Sequence, residues 1–385
     1  MKNKIKVENL INNKRGLYVH VPFCDSLCSY CDFAKMHNHE ALVKPYLVAL
    51  KKEIESYNIN DIKTIYIGGG TPSSLSNEQL KELLDIINPY FNDEVLEYTF
   101  ECNVENITLD KLILLKQYGV NRLSFGLQST DDKILKMMNR HHDFNKCKEV
   151  IFLANSLGFD NINVDLILGI KERTLTQLEK EIKDILSLNI KHISTYCLTI
   201  HENTKFYIDG YRQKDDDEML EEMFLVNKLL SENGFSNYEV SNYSLGKQYR
   251  SKHNLIYWKN EQYYGVGLHA SGYIDNIRYT NTRNILKYNN LDFLDFKEEI
   301  KEEDDFLYYV MLNLRLVDGI DLIDFKNKFG FEIENTLSRT IFKWKQTDHL
   351  LLDDKHLYLS FKGRMILHTI VIDFLREYES YLRLK

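Results

Sequence analysis

Three cysteines within eight residues are the side chains of this chain with the most evident chemistry. Cys24, Cys28 and Cys31 stand in a CxxxCxxC spacing, shortly after a strand-like run. Thiolates are soft ligands that suit iron–sulfur clusters and zinc. A [4Fe–4S] cluster normally takes four cysteine ligands. Three cysteines from one loop would therefore leave the fourth iron with an open position, at which a small molecule can bind through an amine and a carboxylate.

A structural zinc site is the alternative interpretation of this loop, with His20, His37 or His39 as the fourth ligand. Zinc sites usually combine one short cysteine motif with a second pair further along the chain. Here the remaining cysteines are scattered singly, as Cys102, Cys147 and Cys197. We expect these three to be small buried hydrophobes. The spacing therefore favours a cluster over zinc.

A glycine-rich segment, residues 68–73 (GGGTPS), follows the second strand-like run. Glycines at the carboxyl end of a strand let the backbone approach a ligand closely. In parallel α/β folds this edge of the sheet is where binding sites form. Alone, the segment could equally be a tight turn. One β–α unit after the cysteine loop, it indicates a ligand-binding loop beside the cluster.

Further polar residues lie in or just after later strand-like runs, namely Glu101, Asn103, Gln128 and Asp165, and Arg140 and His141 follow one helix after the fourth run. Each of them alone could be a solvated loop residue or a satisfied polar group of the core. Together they would place carboxylates, an amide and a guanidinium around one rim. Arginine can pair with a ligand carboxylate, and acids can accept hydrogen bonds from ribose hydroxyls. The rim therefore suits a zwitterionic ligand that carries a ribose and an adenine.

An alternating β/α scaffold is needed to position these motifs. Strand-like runs fall near residues 18–21, 64–67, 98–102, 122–125, 162–168 and 192–198. Ser76 and Gln79 predict a capping box at one helix start, and Thr108 and Gly119 predict the two ends of another helix. Repeated β–α units indicate a parallel sheet, and six strands are too few for a full (β/α)8 barrel. An open six-stranded partial barrel and a doubly wound sheet both fit this pattern.

The alternation stops after about residue 200. Residues 212–234 predict one charged amphipathic helix, residues 236–290 predict strands and loops, and residues 350–360 predict a short hairpin within a mostly helical segment. We therefore expect a barrel domain, a connecting region and a small winged-helix-like domain, at residues 1–240, 241–300 and 301–385.

Composition limits the class of protein. The chain has 385 residues, 44% of them hydrophobic, and a net charge of −8 without a basic block, which argues against a nucleic-acid partner. It contains no apolar run of 18 residues, and its first ten residues lack the apolar core of a signal peptide. Reduced thiols then predict a cytoplasmic protein. Peripheral membrane contact stays open, as does the choice between monomer and homodimer.

At this point the chain resembles the coproporphyrinogen-oxidase-like branch of the radical S-adenosylmethionine (SAM) superfamily, and within it the HemW-type haem chaperones. The likeness covers nearly the whole chain. The matching segments are residues 18–33, 68–73, 101, 121–128, 140–141, 165–167, 196, 202, 314–316, 319 and 329–330. The resemblance implies an α/β fold, a partial (β/α)6 radical-SAM barrel with a smaller C-terminal, mostly helical winged-helix-like domain.

The resemblance also implies roles for individual residues. Cys24, Cys28 and Cys31 match the ligands of the [4Fe–4S] cluster. The positions that match SAM contacts are Tyr18, Tyr30, Gly69, Gly70, Thr71, Glu101, Gln128, Arg140 and Asp165. Val104 and residues 170–173 depart from the loop sequences usual in the family, which puts the local loop geometry in question but not the site.

An HNxxYW motif at residues 253–258 resembles the haem-binding signature of the chaperones. A neutral imidazole such as His253 is a good axial ligand for haem iron. Tyr257 and Trp258 offer apolar faces to the edge of a porphyrin. Without the resemblance, an ordinary half-buried loop is the better interpretation, and with it a haem site is favoured. His269, which lies among glycines, stays unassigned.

Two features separate the oxidases of this branch from the chaperones. The oxidases carry a further cysteine two residues after the third, where this chain has Phe33, and a longer extension before the first, where this chain has 23 residues. We therefore expect a haem chaperone that binds a [4Fe–4S] cluster, SAM and haem and passes haem to an apo-haemoprotein, with no residue assigned a catalytic role. The alternative is a radical-SAM oxidoreductase acting on coproporphyrinogen III or another substrate through a 5′-deoxyadenosyl radical. A purely structural iron–sulfur protein ranks last.

Overall fold

The computed structural model describes residues 15–383, so the first ten residues, used above to argue against a signal peptide, lie outside the described part. The chain forms two compact units. The first comprises the described residues up to Ser236 together with Tyr243–His253 and Gln262–Glu298. The second comprises Asn237–Asn242, Asn254–Glu261 and the described residues from Glu299 onward. The expected division at residues 240 and 300 stays a prediction.

Strands of the first unit, and two short strands where the chain passes between the units, follow in chain order. They are β1 (Arg15–Val21), β2 (Phe23–Cys24), β3 (Met36–His37), β4 (Ile62–Gly69), β5 (Glu97–Cys102), β6 (Arg122–Gln128), β7 (Asn161–Leu168), β8 (His192–Cys197), β9 (Ser236–Asn237), β10 (Asn242–Ser244), β11 (Tyr263–Gly267), β12 (Ser271–Ile274), β13 (Ile277–Asn281) and β14 (Leu294–Glu299).

Helices alternate with these strands. They are α1 (Glu40–Ser56), α2 (Asn77–Ile87), α3 (Leu109–Gln117), α4 (Asp132–Met137), α5 (Phe144–Ser156), α6 (Leu175–Leu186), α7 (Lys205–Ile208), α8 (Asp216–Glu232), α9 (Lys252–Trp258) and α10 (Ile285–Asn289). Helix α9 begins in the first unit and ends in the second.

The main sheet is a partial barrel. Strands β1, β4, β5, β6, β7 and β8 lie side by side in this order, and every neighbouring pair is parallel. These six strands follow one another in chain order without the reversal of a doubly wound sheet, and the sheet stays open, with β14 at one edge and β9 at the other. The partial-barrel expectation is confirmed. Strand β11 adds to the free side of β1 in parallel, and β12 and β13 follow it in antiparallel pairing.

Side chains alternate between two faces of this sheet, as the period of two in a strand requires. The outward positions are apolar and pack into the main core, for example Leu17, Ile65, Phe100, Leu123 and Val164. The other face, which we call the inner face, is polar. Register places on it Tyr18, Thr64, Tyr66, Glu97, Thr99, Glu101, Arg122, Ser124, Asn163, Asp165, His192 and Ser194. The barrel therefore presents hydrogen-bonding groups on the face that its outer helices leave uncovered.

Local capping explains where the helices begin and end. The predicted capping box of α2 is confirmed, because the Ser76 side chain accepts from Gln79 N and the Gln79 side chain accepts from Ser76 N. Thr108 caps α3 as predicted, and Gly119, two residues beyond its end, has a φ of +83°. Helix α8 lies inside the predicted span 212–234.

The second unit is mostly helical. It contains α11 (Glu302–Asn313), α12 (Leu322–Phe329), α13 (Ile333–Thr336), α14 (Ser338–Lys345), α15 (Phe361–Met365) and α16 (Leu367–Leu382). A small antiparallel sheet is formed by β15 (Ile320–Asp321), β17 (His356–Leu359) and β16 (Leu350–Leu352), which confirms the predicted hairpin. Its core includes the stacked rings of Phe306 and Tyr378. Within the described residues, every helix is too short or too polar to cross a bilayer.

A buried carboxylate connects α1 to the elements around β11. Glu53 is 1% exposed. It accepts hydrogen bonds from Gly267 N (2.8 Å), the Asn281 side-chain amide and the Tyr288 hydroxyl. Burial raises the pKa of Glu53 to about 7, although these three donors favour the ionised form. The carboxylate therefore ties three separate segments of the first unit to one helix.

We expect Glu53→Ala to lower the free energy of unfolding by about 3 kcal/mol or more, because it leaves three buried donors without an acceptor. Glu55→Ala is the matched control, since Glu55 is exposed on the same helix and its ion pair with Lys51 spans 3.9 Å. The control should change stability by about 0.5 kcal/mol or less. Urea unfolding followed by circular dichroism measures both, and equal effects would contradict the role given to Glu53.

Candidate functional site

The cysteine loop lies at the carboxyl end of the barrel strands. Cys24 is buried in β2, whereas Cys28 and Cys31 are half-buried in the loop that follows. Of the scattered cysteines, Cys102 and Cys147 are buried as expected, but the expectation is wrong for Cys197, which is exposed at the end of β8. Hydrogen bonds fix the cysteine loop to other elements. Ser29 N donates to Met138 O (3.0 Å), and the Asn139 side chain donates to Leu27 O (2.8 Å). The loop that begins after Cys24 and carries Cys28 and Cys31 is therefore held by the segment that follows α4.

Two of the thiols contact polar side chains. The Thr71 hydroxyl lies 3.4 Å from Cys24 Sγ, and Arg140 Nη1 lies 3.6 Å from Cys28 Sγ. Burial raises the pKa of the Cys24 thiol to about 12. Iron binding must therefore displace a proton at this position, as binding to thiols generally does. Three cysteines of one loop, with a guanidinium beside one of them, form a donor set that fits an iron–sulfur cluster.

The histidines considered for zinc do not join this set. His20 Nε2 lies 2.8 Å from Ala34 O, and because a carbonyl only accepts, this nitrogen carries the proton. His20 Nδ1 then accepts from the Tyr18 hydroxyl at 2.9 Å, so both ring nitrogens are used. His37 and His39 are exposed. Among residues 15–383, no three His, Cys, Asp or Glu side chains, the loop cysteines included, are grouped around one point as the ligands of a single metal ion would be. A [4Fe–4S] cluster differs, because each of its cysteines binds a different iron.

The glycine segment packs tightly against the ends of β1 and β5. Gly70 N donates to Val21 O and Thr71 N donates to Phe23 O, both at 2.8 Å. A Cβ on Gly70 would lie 2.7 Å from the carbonyl carbon of Pro22, and one on Gly68 would lie 2.6 Å from Cδ of Glu101. Gly69 has a φ of +116°, a conformation that side chains disfavour. Glycine is therefore required at all three positions.

Glu101 is the carboxylate nearest to this segment. Its two oxygens accept from Gly69 N (3.0 Å) and from the Tyr66 hydroxyl (2.6 Å). Burial and, to a smaller extent, the nearby Asp165 carboxylate raise the pKa of Glu101 to about 7. A buried carboxyl with a raised pKa is a suitable binding partner for a cation, because a positive ligand would stabilise its charged form.

Asp165 lies two strands away on the inner face. Its Oδ1 accepts from the Asn163 side-chain amide at 2.8 Å, and Asn163 Oδ1 in turn accepts from the Ser194 hydroxyl at 3.1 Å. Burial raises the pKa of Asp165 to about 6. Glu101 and Asp165 are therefore two buried acids of one polar face.

Arg140 is held by a carboxylate that sequence reasoning missed. Arg140 Nη2 donates to Glu105 Oε2 (3.1 Å) and to Gly126 O (2.7 Å), and His142 contacts Glu105 Oε1 at 3.0 Å. Burial opposes ionisation of Glu105, but the hydrogen bond from His142 and the Arg140 charge lower its pKa to about 2. A signal was available, because Glu105 follows Asn103 by two residues in the same strand-end loop.

Gln128 adopts a backbone conformation that is uncommon for its residue type. It ends β6 with a φ of +71°. A Cβ on Gly126 would lie 2.9 Å from Gln128 Nε2, 3.4 Å from Asn103 Oδ1 and 3.7 Å from Arg140 Nη2. The side chains of Gln128, Asn103 and Arg140 therefore converge on Gly126. In the described part of the chain, Arg140 Nε is buried without a hydrogen-bond partner.

The remaining predicted SAM positions lie around the same residues. The Tyr18 hydroxyl donates to His20 beside the glycine segment. Burial raises the pKa of Tyr18 well above its usual range. Tyr30 lies in the cysteine loop near Cys28 and Arg140. The structure thus brings together at one edge of the barrel the cysteine loop, the glycine segment and the polar rim.

The HNxxYW motif lies on helix α9. Its histidine belongs to the first unit, whereas Tyr257 and Trp258 belong to the second. The His253 imidazole is 1% exposed and lies on the inner face, with Nδ1 2.7 Å from the Thr64 hydroxyl and its ring 5.2 Å from that of Tyr66. Burial lowers the pKa of His253 to about 3, so the imidazole is neutral.

Helix α9 is positioned by Glu97, a second residue that the sequence analysis did not identify. Glu97, at the start of β5, accepts from Lys252 N (2.9 Å) and His253 N (3.0 Å). These are main-chain groups of the first turn of α9, which has no acceptors for them within the helix. His269, left unassigned above, has a φ of +58° and lies with Nδ1 3.4 Å from Asn281 O.

Comparisons with known proteins agree with this geometry. Residues 18–185 match the Radical SAM superfamily and residues 302–366 match the HemN C-terminal domain. The structure of coproporphyrinogen III oxidase (HemN) from Escherichia coli, a radical SAM enzyme, is similar with a TM-score of 0.81 and 20% identity, covering 94% of this chain and 90% of that chain. The fold and the cysteine and glycine segments thus define a radical-SAM barrel.

Curated relatives narrow the assignment. Heme chaperone HemW of Bacillus subtilis (strain 168) is 34% identical over 380 residues, covering 94% of this chain and all of the relative. Heme chaperone HemW of Lactococcus lactis is 32% identical over 368 residues, covering 92% of this chain and 95% of the relative. The chain therefore belongs to the HemW family within the radical-SAM superfamily. Membership of the superfamily implies a [4Fe–4S] cluster and SAM.

We expect Gly68→Ala to weaken SAM binding roughly tenfold or more, because the new methyl group displaces Glu101 and small displacements at a binding site are costly. The cysteine loop is untouched, so iron content should not change. Anaerobic equilibrium dialysis of the cluster-reconstituted protein with labelled SAM measures the effect. Gly210→Ala is the control: its φ of +69° disfavours a side chain, but a Cβ there meets nothing within 4 Å, so backbone strain that displaces no side chain should leave SAM affinity unchanged. Equal SAM affinity in the Gly68 variant and the wild type would contradict the assignment.

Proposed function

We propose that this protein is a haem chaperone that binds a [4Fe–4S] cluster, SAM and haem and delivers haem to an apo-haemoprotein. The observation that carries the proposal is the full-length similarity to Heme chaperone HemW of Bacillus subtilis. The proposal includes a cytoplasmic location and no nucleic-acid partner. It leaves the acceptor, peripheral membrane contact and the choice between monomer and homodimer to experiment.

In this proposal Cys24, Cys28 and Cys31 hold the cluster, and SAM occupies the rim beside them. The contacts described above support this arrangement. Within the described residues, Glu101 accepts hydrogen bonds from a hydroxyl and a backbone N–H but from no side-chain cation, which suits the ammonium group of SAM. The buried Arg140 Nε, which has no hydrogen-bond partner there, suits an anionic group. The remaining proposed SAM contacts are Tyr18, Tyr30, Gly69, Gly70, Thr71, Gln128 and Asp165.

In the same proposal His253, Tyr257 and Trp258 bind haem. The structure adds a condition for His253, because its imidazole is buried against Thr64 and Tyr66. Ligation of haem iron by this residue requires that the ring leave the inner face. The haem-competent state is then one of two states, and its population sets the apparent haem affinity.

The cluster proposal predicts that the triple variant Cys24→Ala/Cys28→Ala/Cys31→Ala binds no [4Fe–4S] cluster. Iron and sulfide analysis and the visible absorption spectrum after anaerobic reconstitution measure this. The variant Cys102→Ala/Cys147→Ala/Cys197→Ala is the matched control and should keep the cluster, since none of these thiols lies in the loop. If haem transfer to an acceptor were unchanged in the first variant, the cluster would have no part in the proposed function.

The haem proposal predicts opposite effects of two substitutions in one contact. His253→Ala should weaken haem binding about tenfold or more because it removes the iron ligand. Thr64→Val should strengthen haem binding about two- to tenfold, because loss of one hydrogen bond disfavours the competing buried state. Anaerobic haem titration followed at the Soret band measures both, with His201→Ala as the exposed-histidine control.

Each result of this titration has a definite meaning. If both variants bind haem as the wild type does, His253 is not the iron ligand. If the wild type binds no haem saturably, the chaperone proposal is wrong. The second candidate, a radical-SAM oxidoreductase acting on coproporphyrinogen III or another substrate, is then favoured by the intact cysteine and glycine segments. Substrate-dependent release of 5′-deoxyadenosine tests it.

A further inference from the structure

The second unit contains buried polar atoms that nothing described so far explains. Trp258 Nε1, Arg315 Nε and Glu239 Oε1 are all buried, and within residues 15–383 none of these three atoms has a hydrogen-bond partner. Buried donors and acceptors in native proteins are nearly always paired, so such atoms call for an explanation. Two of the three are N–H donors.

These atoms belong to one cluster, which we call the Trp258–Arg315 cluster. The guanidinium carbon of Arg315 lies 5.3 Å from the centre of the Trp258 ring, within the range of a cation–π contact. Glu239 forms a β-bridge with Leu316, the residue after Arg315. Arg315 follows the end of α11, where its main-chain nitrogen donates to Leu312 O at 3.1 Å. The backbone therefore holds both sides of the cluster.

The charges of this cluster are not balanced. Burial lowers the pKa of the Arg315 guanidinium, and the Glu239 carboxylate only partly offsets this. Burial raises the pKa of Glu239 to about 7, so it is an incomplete counter-ion at neutral pH. In the described part of the chain, the ion pairs within 4 Å do not include Arg315. An anion at this position would therefore complete the cluster.

We propose that Trp258 and Arg315 form a carboxylate-binding site that holds a propionate group of haem. Guanidinium recognises carboxylate through charge-assisted hydrogen bonds, and the indole N–H beside it adds a second directional donor. The propionates are the anionic substituents of the otherwise apolar haem ring. This inference rests on the proposed haem function, and it assigns Trp258 a polar role in addition to an apolar contact.

The test compares haem with haem dimethyl ester, in which both carboxylates are blocked but the iron and the ring are unchanged. Each is titrated anaerobically into the full-length, cluster-reconstituted protein in the same detergent. The wild type should bind haem roughly tenfold more tightly than the ester. Arg315→Ala should abolish this preference by weakening haem binding alone. Because iron ligation is common to both ligands, it cancels in the comparison.

Three further variants separate binding from structure. Trp258→Phe keeps an aromatic ring under Arg315 but removes the indole N–H, and it should reduce the preference for haem about two- to fivefold. Arg315→Lys keeps the charge and should retain part of the preference. Arg278→Ala removes another arginine that lies over an aromatic ring, Tyr273 in the first unit, and should leave the preference unchanged. Circular dichroism checks that each variant is folded.

The outcomes distinguish this inference from the proposed function. If the wild type binds haem and its ester equally, or if Arg315→Ala weakens both equally, the carboxylate site is wrong and the haem chaperone proposal stands. If the wild type binds neither ligand saturably, the proposed function is wrong and the inference falls with it. A preference for haem that only the Trp258 and Arg315 variants reduce supports the site.

Discussion

The close approach of the segments that follow β1 and β4 is the constraint on which the site depends. Gly70 N and Thr71 N donate to the carbonyls of Val21 and Phe23, and these bonds form only because the glycines carry no side chain. The same approach places the Thr71 hydroxyl against Cys24 Sγ. It also brings the backbone to within hydrogen-bond distance of Glu101. The cysteine loop, the glycine segment and the buried carboxylate are therefore coupled, and a shift of one strand disturbs all three.

Much of the fold follows from local signals in the sequence. The capping box of α2 depends on residues three apart, which is why Ser76 and Gln79 predicted its start correctly. The choice between a barrel and a doubly wound sheet needed another signal, the alternation within the strands. A doubly wound sheet is covered by helices on both faces and needs apolar residues on both. Here Tyr66, Glu101 and Asp165 alternate with apolar residues, which favours a barrel. The pairing of β11 with β1 had no such signal, because it joins segments far apart in the sequence.

The residues of the site also fall into a predictable group and an unpredictable group. Cysteine spacing and glycine placement were predictable because each belongs to one short segment. The supporting residues were not, because their roles depend on distances between elements: Glu105 acts on Arg140 across two strand ends, and Glu97 acts on helix α9 from the start of β5. His253 shows the limit most clearly. Its motif predicted an axial ligand for haem iron, but no local pattern shows that this side of α9 faces Thr64 and Tyr66.

The two acids nearest to the rim differ in a way that separates support from binding. Glu105 faces Arg140 and His142, and their positive charge lowers its pKa to about 2, so it is ionised at any physiological pH and its interactions are complete. Glu101 is buried and, within residues 15–383, accepts hydrogen bonds only from a hydroxyl and a backbone N–H, and its pKa is raised to about 7. A cation binding at Glu101 would lower that pKa, and by linkage the ionised acid binds the cation more tightly. Glu105 therefore positions Arg140 through interactions that are already complete, whereas Glu101 becomes fully ionised when a positively charged ligand binds beside it.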